Sequence, residues 1–201
     1  MADRDDLPTA VLTGRFAEAV RWASHLHADQ ARKGTRIAYV SHLLAVSSLV
    51  LEDGGTEEEA IAGVLHDALE DCHIAEAEIR ARFGGVVAEI VVACSEGAGP
   101  RGEGTWESRK AKYLAHLKSD DLPDGALRVS AADKLHNARS ILTDLREHGP
   151  SMWERFNAPA AAQGWYYSAV ARILHARHDS VLTRELRRVV DDLTAEIDRP
   201  A

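Results

Sequence analysis

Apolar residues along this chain recur at intervals of three and four far more often than two, and this spacing constrains the fold more than any other feature. It is the period of one face of an α-helix rather than of a strand. Alanine is abundant and aromatic residues make up only 5% of the 201 positions, a composition that suits helices. The expected fold class is all-α: a single compact helical bundle of about eight to ten helices spanning 1–201, preceded by a short flexible N-terminal tail.

The punctuation divides the chain accordingly. A first helix is predicted from Leu12 to Asp29, with Phe16, Val20, Ala23 and His27 on one stripe, followed by a loop holding Arg32, Lys33, Gly34 and Thr35. Ser41 reads as the N-cap of a helix through Leu51, ended by Asp53-Gly54-Gly55. Thr56 with Glu57, Glu58 and Glu59 reads as a capping-box start for a helix carrying Ala60 to Glu70. Short helices follow at Ala75 to Phe83 and Val86 to Ser95, then a glycine-rich loop from Glu96 to Gly104. Further helices are predicted at Trp106 to Leu117, Ala126 to His148, Ala160 to His178 and Ser180 to Ile197, with Gly149-Pro150 as a firm stop.

Charge and composition exclude several classes of function. Acidic residues exceed basic ones by eight (32 against 24), so a broad surface for DNA, RNA or an anionic membrane is not expected. The longest apolar runs, such as Ile90 to Cys94, fall far short of the roughly 20 residues a bilayer span needs. Met1 to Pro8 carries three aspartates and one arginine, the reverse of a secretory signal, and a cytoplasmic protein is expected. Two cysteines, Cys72 and Cys94, are too few for a disulfide framework, whereas ten histidines make nitrogen and oxygen the expected metal donors.

The segment Leu65-His66-Asp67-Ala68-Leu69-Glu70-Asp71 is the most informative. On a continuous helix His66 would lie over Glu70 and Asp67 over Asp71. Four ionisable groups beside Val64 and Leu65 are costly to bury unless a divalent cation compensates them; the other open reading is a solvated helix end. His42 stands at the start of an apolar stretch, where a core or capping role is the alternative. Asp133 stands in an alanine-rich helix, where an ion pair with Lys134 or Arg139 is the alternative. Together, His42, His66, Asp67 and Asp133 would bring two imidazoles and two carboxylates from three helices, a common way to build a metal site in a helical domain.

The order His42, His66-Asp67, Asp133 resembles the HD phosphohydrolase superfamily. With Arg32-Lys33-Gly34, Tyr39-x-x-His42, the extension to Glu70-Asp71, and Ala132-Asp133-Lys134-Leu135-x-Asn137-x-Arg139, it is similar to the hydrolase domain of RelA/SpoT enzymes. A chain of this length without a synthetase region is most similar to the small alarmone hydrolases, which include the metazoan SpoT homologue. The likeness covers about Phe16 to Ala176. It implies an HD-domain fold and hydrolysis of the 3′-pyrophosphate of guanosine tetra- or pentaphosphate to GDP or GTP and pyrophosphate.

Carried over by position, the resemblance makes His42, His66, Asp67 and Asp133 the ligands of one manganese ion (Mn2+). Two hard carboxylates with open water positions suit such an ion, and the family, not the spacing, selects it. Glu70 and Asp71 become the pair that positions and activates water. Arg32, Lys33, Asn137 and Arg139 become substrate contacts, and the partner is a small phosphorylated nucleotide. Arg109, Lys110 and Lys112 face either the distal phosphates or solvent, and Trp165, Tyr166 and Tyr167 either the base or the core. The chain departs from the family at Ala38 and Leu43, where proline is usual, and at Cys72, where threonine is usual; His73 adds a spare imidazole. Two alternatives stand beside the main reading: an HD phosphatase acting on NADPH (2′-phosphate) or another nucleotide, and a non-catalytic nucleotide-binding module.

Overall fold

The computed structural model describes residues 12–95 and 104–199. Within them lie ten α-helices, a 3-10 helix and no strand; an isolated antiparallel bridge joins Ala31 to Ala38. The helices are α1 (Gly14–Leu26), α2 (Val40–Glu52), α3 (Glu57–Leu65), α4 (Ala68–Asp71), α5 (Glu76–Phe83), α6 (Gly85–Cys94), α7 (Trp106–His116), α8 (Asp124–His148), α9 (Ala160–Arg177) and α10 (Val181–Ile197), with the 3-10 helix at Gly149–Arg155. The all-α expectation holds. The proposed N-terminal tail and all but the last residue of the Glu96 to Gly104 loop lie outside the described residues. No helix among those described is long and apolar enough to cross a membrane.

Helix α3 is the hub. Every residue from Glu59 to Leu65 is buried, and the helix packs against α1, α2, α6 and α8. Only a helix apolar nearly all round can occupy such a place. Full burial of Ile61, Val64 and Leu65 stabilises by about 1.5–3 kcal/mol each. Its start is the expected capping box, Thr56 with Glu59, worth about 1 kcal/mol. The buried Glu59 carboxylate also accepts from Arg128 Nη1 at 2.6 Å, which ties the start of α3 to α8. Gly63 lets α2 approach closely: a Cβ there would stand 3.3 Å from Ser47 Cα. Ser47 Oγ donates to the Ala60 carbonyl at 2.9 Å across the same contact.

Helix α8, 25 residues and roughly 38 Å long, is the spine against which α2, α3, α6, α9 and α10 pack. It ends where expected, at Gly149 with φ of 65°, a conformation glycine adopts without steric cost. Helix α10 has an amphipathic stripe, burying Leu182, Leu186, Val189, Val190 and Leu193.

Two local expectations are corrected. Ser41 is not the cap of α2: the helix starts at Val40 behind Tyr39, and Ser41 N and His42 N already bond the carbonyls of Ala38 and Tyr39. Those bonds place Ser41 inside the first helical turn, so it cannot be the residue that precedes it. Nor does one helix run from Ala60 to Glu70. The α-helical pattern breaks at His66–Asp67, where Asp67 has φ −96° and ψ −1°, and resumes as the single turn α4.

Candidate metal centre

The break between α3 and α4 shapes the site. Successive residues on an uninterrupted helix point about 100° apart. Here His66 Nε2 and Asp67 Oδ2 are 2.9 Å apart. Helix α2 brings His42 to the same place and α8 brings Asp133. His42 Nε2 lies 3.2 Å from Asp133 Oδ1 and 3.8 Å from Asp67 Oδ2, and His66 Nε2 lies 3.8 Å from Asp133 Oδ1. Donor atoms of His42, His66 and Asp133 all fall within 4.8 Å of one another, and all three residues are buried.

These residues line a cavity of about 130 Å³ together with Tyr39, Glu70, Cys94, Lys134 and Asn137. Inside it, His66 Nε2 is buried and has no hydrogen-bond partner, although Asp67 Oδ2 is near. An unanswered buried nitrogen is rare in a folded protein and needs a cause. The residues present fit a divalent cation. They offer two imidazole nitrogens and two carboxylate oxygens at separations close to the roughly 3 Å that ligands about 2.1 Å from one ion must keep.

A supporting shell holds each donor. Tyr39 Oη donates to Asp67 Oδ2 at 2.6 Å, and its ring stacks on buried His27 at 5.1 Å. His66 Nδ1 bonds the Gly63 carbonyl at 2.8 Å. Asp133 accepts from Lys134 Nζ at 2.7 Å on Oδ2 and from Asn137 Nδ2 on Oδ1. Lys134 also sits over the Tyr113 ring at 4.9 Å. His42 Nδ1 meets His136 Nδ1 at 2.8 Å.

The electrostatics follow from this packing. Burial opposes charge on His66, but the Asp67 and Asp133 carboxylates outweigh it and raise its pKa to about 9. Burial would likewise raise Asp67, yet the His66 charge holds it at about 2. Asp133 is held well below the usual carboxylate range, against its burial, chiefly by the Lys134 ammonium. Burial lowers His42, and burial with the charges of His42 and Arg32 takes His136 down to about 4. Burial pushes the Cys94 thiol up to about 12, so it lines the cavity as a neutral group.

The remaining expected residues divide. Glu70 lines the cavity; Asp71, one residue on, stands outside its wall, where its charge bears on Tyr39 and Cys72. Arg32 is one step removed, donating to Asn137 Oδ1 at 3.0 Å and Ser140 Oγ at 3.2 Å. Lys33 is exposed and bonds Asn157 Oδ1 at 3.3 Å. Arg139 is not brought to the cavity: it pairs with Glu185 of α10 at 3.4 Å and lines a different cleft. The ion pair considered for Asp133 is real and is with Lys134. Tyr166 and Tyr167 are core residues, Trp165 is exposed, and exposed His73 has a left-handed φ of 55°.

Sequence reasoning missed His136, which stands at the unread position between Leu135 and Asn137. Its signal was its spacing: three residues after Asp133, it shares that residue's helix face.

This architecture has known counterparts. A profile for the HD domain matches residues 19–160, and the chain belongs to the HD-domain family. Among named relatives, the probable guanosine-3′,5′-bis(diphosphate) 3′-pyrophosphohydrolase of Synechocystis is 32% identical over 126 residues, covering 63% of this chain and 16% of that one. The present chain thus spans about a sixth of that relative's length. The guanosine-3′,5′-bis(diphosphate) 3′-pyrophosphohydrolase MESH1 of Xenopus tropicalis is 30% identical over 139 residues, covering 68% of this chain and 72% of that one. Among solved structures, a metazoan ortholog of SpoT that hydrolyses ppGpp matches with a TM-score of 0.72 at 22% identity, over 92% of this chain and 96% of that one, a likeness of fold. A Listeria monocytogenes protein matches with a TM-score of 0.66 at 30% identity, over 75% and 96% of the two chains.

Proposed function

We propose that this HD-domain protein is a manganese-dependent hydrolase of guanosine tetra- and pentaphosphate, removing the 3′-pyrophosphate. The observation that carries the reading is the convergence of four donor atoms on a cavity with a buried, unanswered His66 Nε2. The similarity to MESH1, a guanosine-3′,5′-bis(diphosphate) 3′-pyrophosphohydrolase by name, supports the choice of substrate. The reading treats 1–201 as one domain.

In this reading His42, His66, Asp67 and Asp133 hold the cation. When bound, it supplies a Lewis acid that makes water a better nucleophile and screens phosphate charge. Tyr39 orients Asp67, and Lys134 with Asn137 orients Asp133, so the donors need little rearrangement. Glu70 accepts the proton of the attacking water, with Asp71 behind it. Water adds to the phosphorus joined to the ribose 3′-oxygen, that P–O bond breaks, and the departing 3′-oxygen takes a proton from solvent while Glu70 gives its own back to solvent, leaving the nucleotide with a 3′-hydroxyl and free pyrophosphate. Arg32 turns from Asn137 and Ser140 toward the nucleotide, while Lys33 supplies positive charge at the rim.

The test offers the manganese-loaded protein guanosine tetraphosphate, NADPH and nucleoside monophosphates, measuring pyrophosphate and orthophosphate separately. Pyrophosphate with stoichiometric GDP from the first substrate is expected. Orthophosphate alone, from NADPH or a monophosphate, overturns the reading.

A further inference from the structure

Helix α4 is a single turn, Ala68–Asp71, and it carries both carboxylates of the proposed water-activating pair. So short a turn has few bonds of its own: Asp71 N meets the Asp67 carbonyl at 2.8 Å and Cys72 N the Ala68 carbonyl at 3.2 Å. Fixing the dihedrals of one turn for so few bonds is unfavourable, so the turn depends on anchors from outside. At its start the anchor is Tyr39, whose hydroxyl donates to Asp67 Oδ2 at 2.6 Å. At its end, the last carbonyls of a helix need donors from elsewhere.

Half-buried Gln30 supplies one. Its side-chain Nε2 donates to the Asp71 carbonyl at 3.4 Å, across 41 residues of sequence. Its Oε1 bonds His27 Nδ1 at 2.8 Å, which turns the amide so that Nε2 faces α4. His27 is buried and its ring stacks on Tyr39 at 5.1 Å, so the amide is seated on the core. The Gln30 backbone carbonyl also accepts from Tyr39 N at 2.9 Å. One residue thus reaches both ends of α4. Its main chain holds the tyrosine that sets Asp67, and its side chain holds the residue that follows Glu70.

Resting on the reading of Glu70 as the group that accepts the water's proton, we propose that Gln30 is a positioning residue whose amide anchors the C-terminal end of α4 and so keeps Glu70 in line with the attacking water. Misplacing a reacting group by about 1 Å is enough to slow a reaction roughly 100-fold. The metal donors do not share this dependence. Asp67 keeps its bond to Tyr39, and His42, His66 and Asp133 are carried by α2, the end of α3 and α8.

Gln30→Ala removes the amide and spares the main-chain bond to Tyr39. With the manganese-loaded protein and guanosine tetraphosphate, kcat is expected to fall about 10- to 100-fold, while KM and bound manganese stay within about two-fold of wild type. Gln30→Glu keeps an acceptor for His27 but sets a carboxylate oxygen against the Asp71 carbonyl, and loses as much as alanine. In a Glu70→Ala background, Gln30→Ala changes kcat by no more than about two-fold, because a residue that acts through Glu70 has nothing left to position. Hydrogen exchange read by mass spectrometry, on metal-free and loaded protein, gives a readout apart from turnover. Amides of residues 68–74 exchange roughly ten-fold faster in both single variants, while those of α3 keep their wild-type rates. Wild-type kcat in both variants, losses that multiply in the double variant, or unchanged exchange over 68–74 overturns the proposal. Lost protection in α3 together with lost manganese makes Gln30 a residue of the fold and contradicts it too. A wild-type protein that releases no pyrophosphate overturns the underlying reading and the role of Gln30 with it; wild-type release with unaltered variants overturns the role alone.

Discussion

Among the described residues, two cavities open along α8, and the larger is not the one lined by the candidate metal ligands. The cleft of about 240 Å³ lies between Leu49 and Asp53 of the α2 end, Leu135 and Arg139 of α8, and Leu182 and Glu185 of α10. Its charges answer one another. Asp53 accepts from Leu182 N at 3.1 Å, Arg128 Nε at 3.2 Å and His178 Nε2 at 3.3 Å, and Arg139 meets Glu185. The cavity of about 130 Å³ holds four potential ligands and a buried nitrogen with no partner. A satisfied buried carboxylate fastens helices together; an unsatisfied donor set calls for something to enter. Unmet polarity, rather than volume, separates a site from a joint in this molecule.

Substitutions on the two sides should therefore fail in opposite ways. His66→Ala has the largest effect expected: metal content falls to background and pyrophosphate release drops roughly 1,000-fold or more, since a bound cation is worth several kcal/mol. Elemental analysis and product assay check this, and a metal-free melting temperature equal to wild type shows that the fold survives. Glu70→Ala and Asp71→Ala keep the metal and lose turnover by roughly 100-fold or more. Full activity in both variants would remove the carboxylate pair from the chemistry.

On the other side, Asp53→Ala costs about 1–3 kcal/mol by removing the acceptor that Leu182 N, half-buried His178 and half-buried Arg128 share, although Arg128 keeps Glu59, with kcat unchanged below the melting temperature. Burial alone would raise the Asp53 pKa, but its bonds to Leu182, Ser180, His178 and Arg128 lower it overall. Its contribution is thus complete above about pH 4 and is lost as pH falls through the lowered folded value; urea melts across pH 2–6 should show the variant losing that dependence. Arg139→Ala should be nearly silent, below about 1 kcal/mol in stability and with little change in KM, because its pair with Glu185 is exposed. Arg32→Ala, by contrast, raises KM several-fold.

Much of the fold was legible because spacing reports helices directly. The predicted starts and stops of α8, α9 and α10 fall within two residues of the observed bounds, and the Thr56 capping box is where it was expected. What spacing could not report was tertiary. The break at His66–Asp67 accompanies the Tyr39 hydroxyl's hold on Asp67, 28 residues away in sequence, and Ser41 was displaced as a cap by backbone bonds from the preceding turn. In the site, His42, His66, Asp67 and Asp133 meet as their order implied. Arg139 does not join them, because six residues is about 1.7 turns and sets it roughly 120° around α8 from Asp133, where α10 supplies Glu185. His136 escaped notice since a lone helical histidine carries no motif until its neighbour across the interface is known.

The central claim is that the smaller, polar cavity is where the cation and the chemistry reside. Anomalous diffraction at the manganese edge, on crystals of the manganese-loaded protein, tests it most directly. The account predicts one strong peak within ligand distance of His42 Nε2, His66 Nε2 and the Asp67 and Asp133 carboxylates. A peak in the cleft beside Asp53 and Glu185, or none near His66, would contradict it.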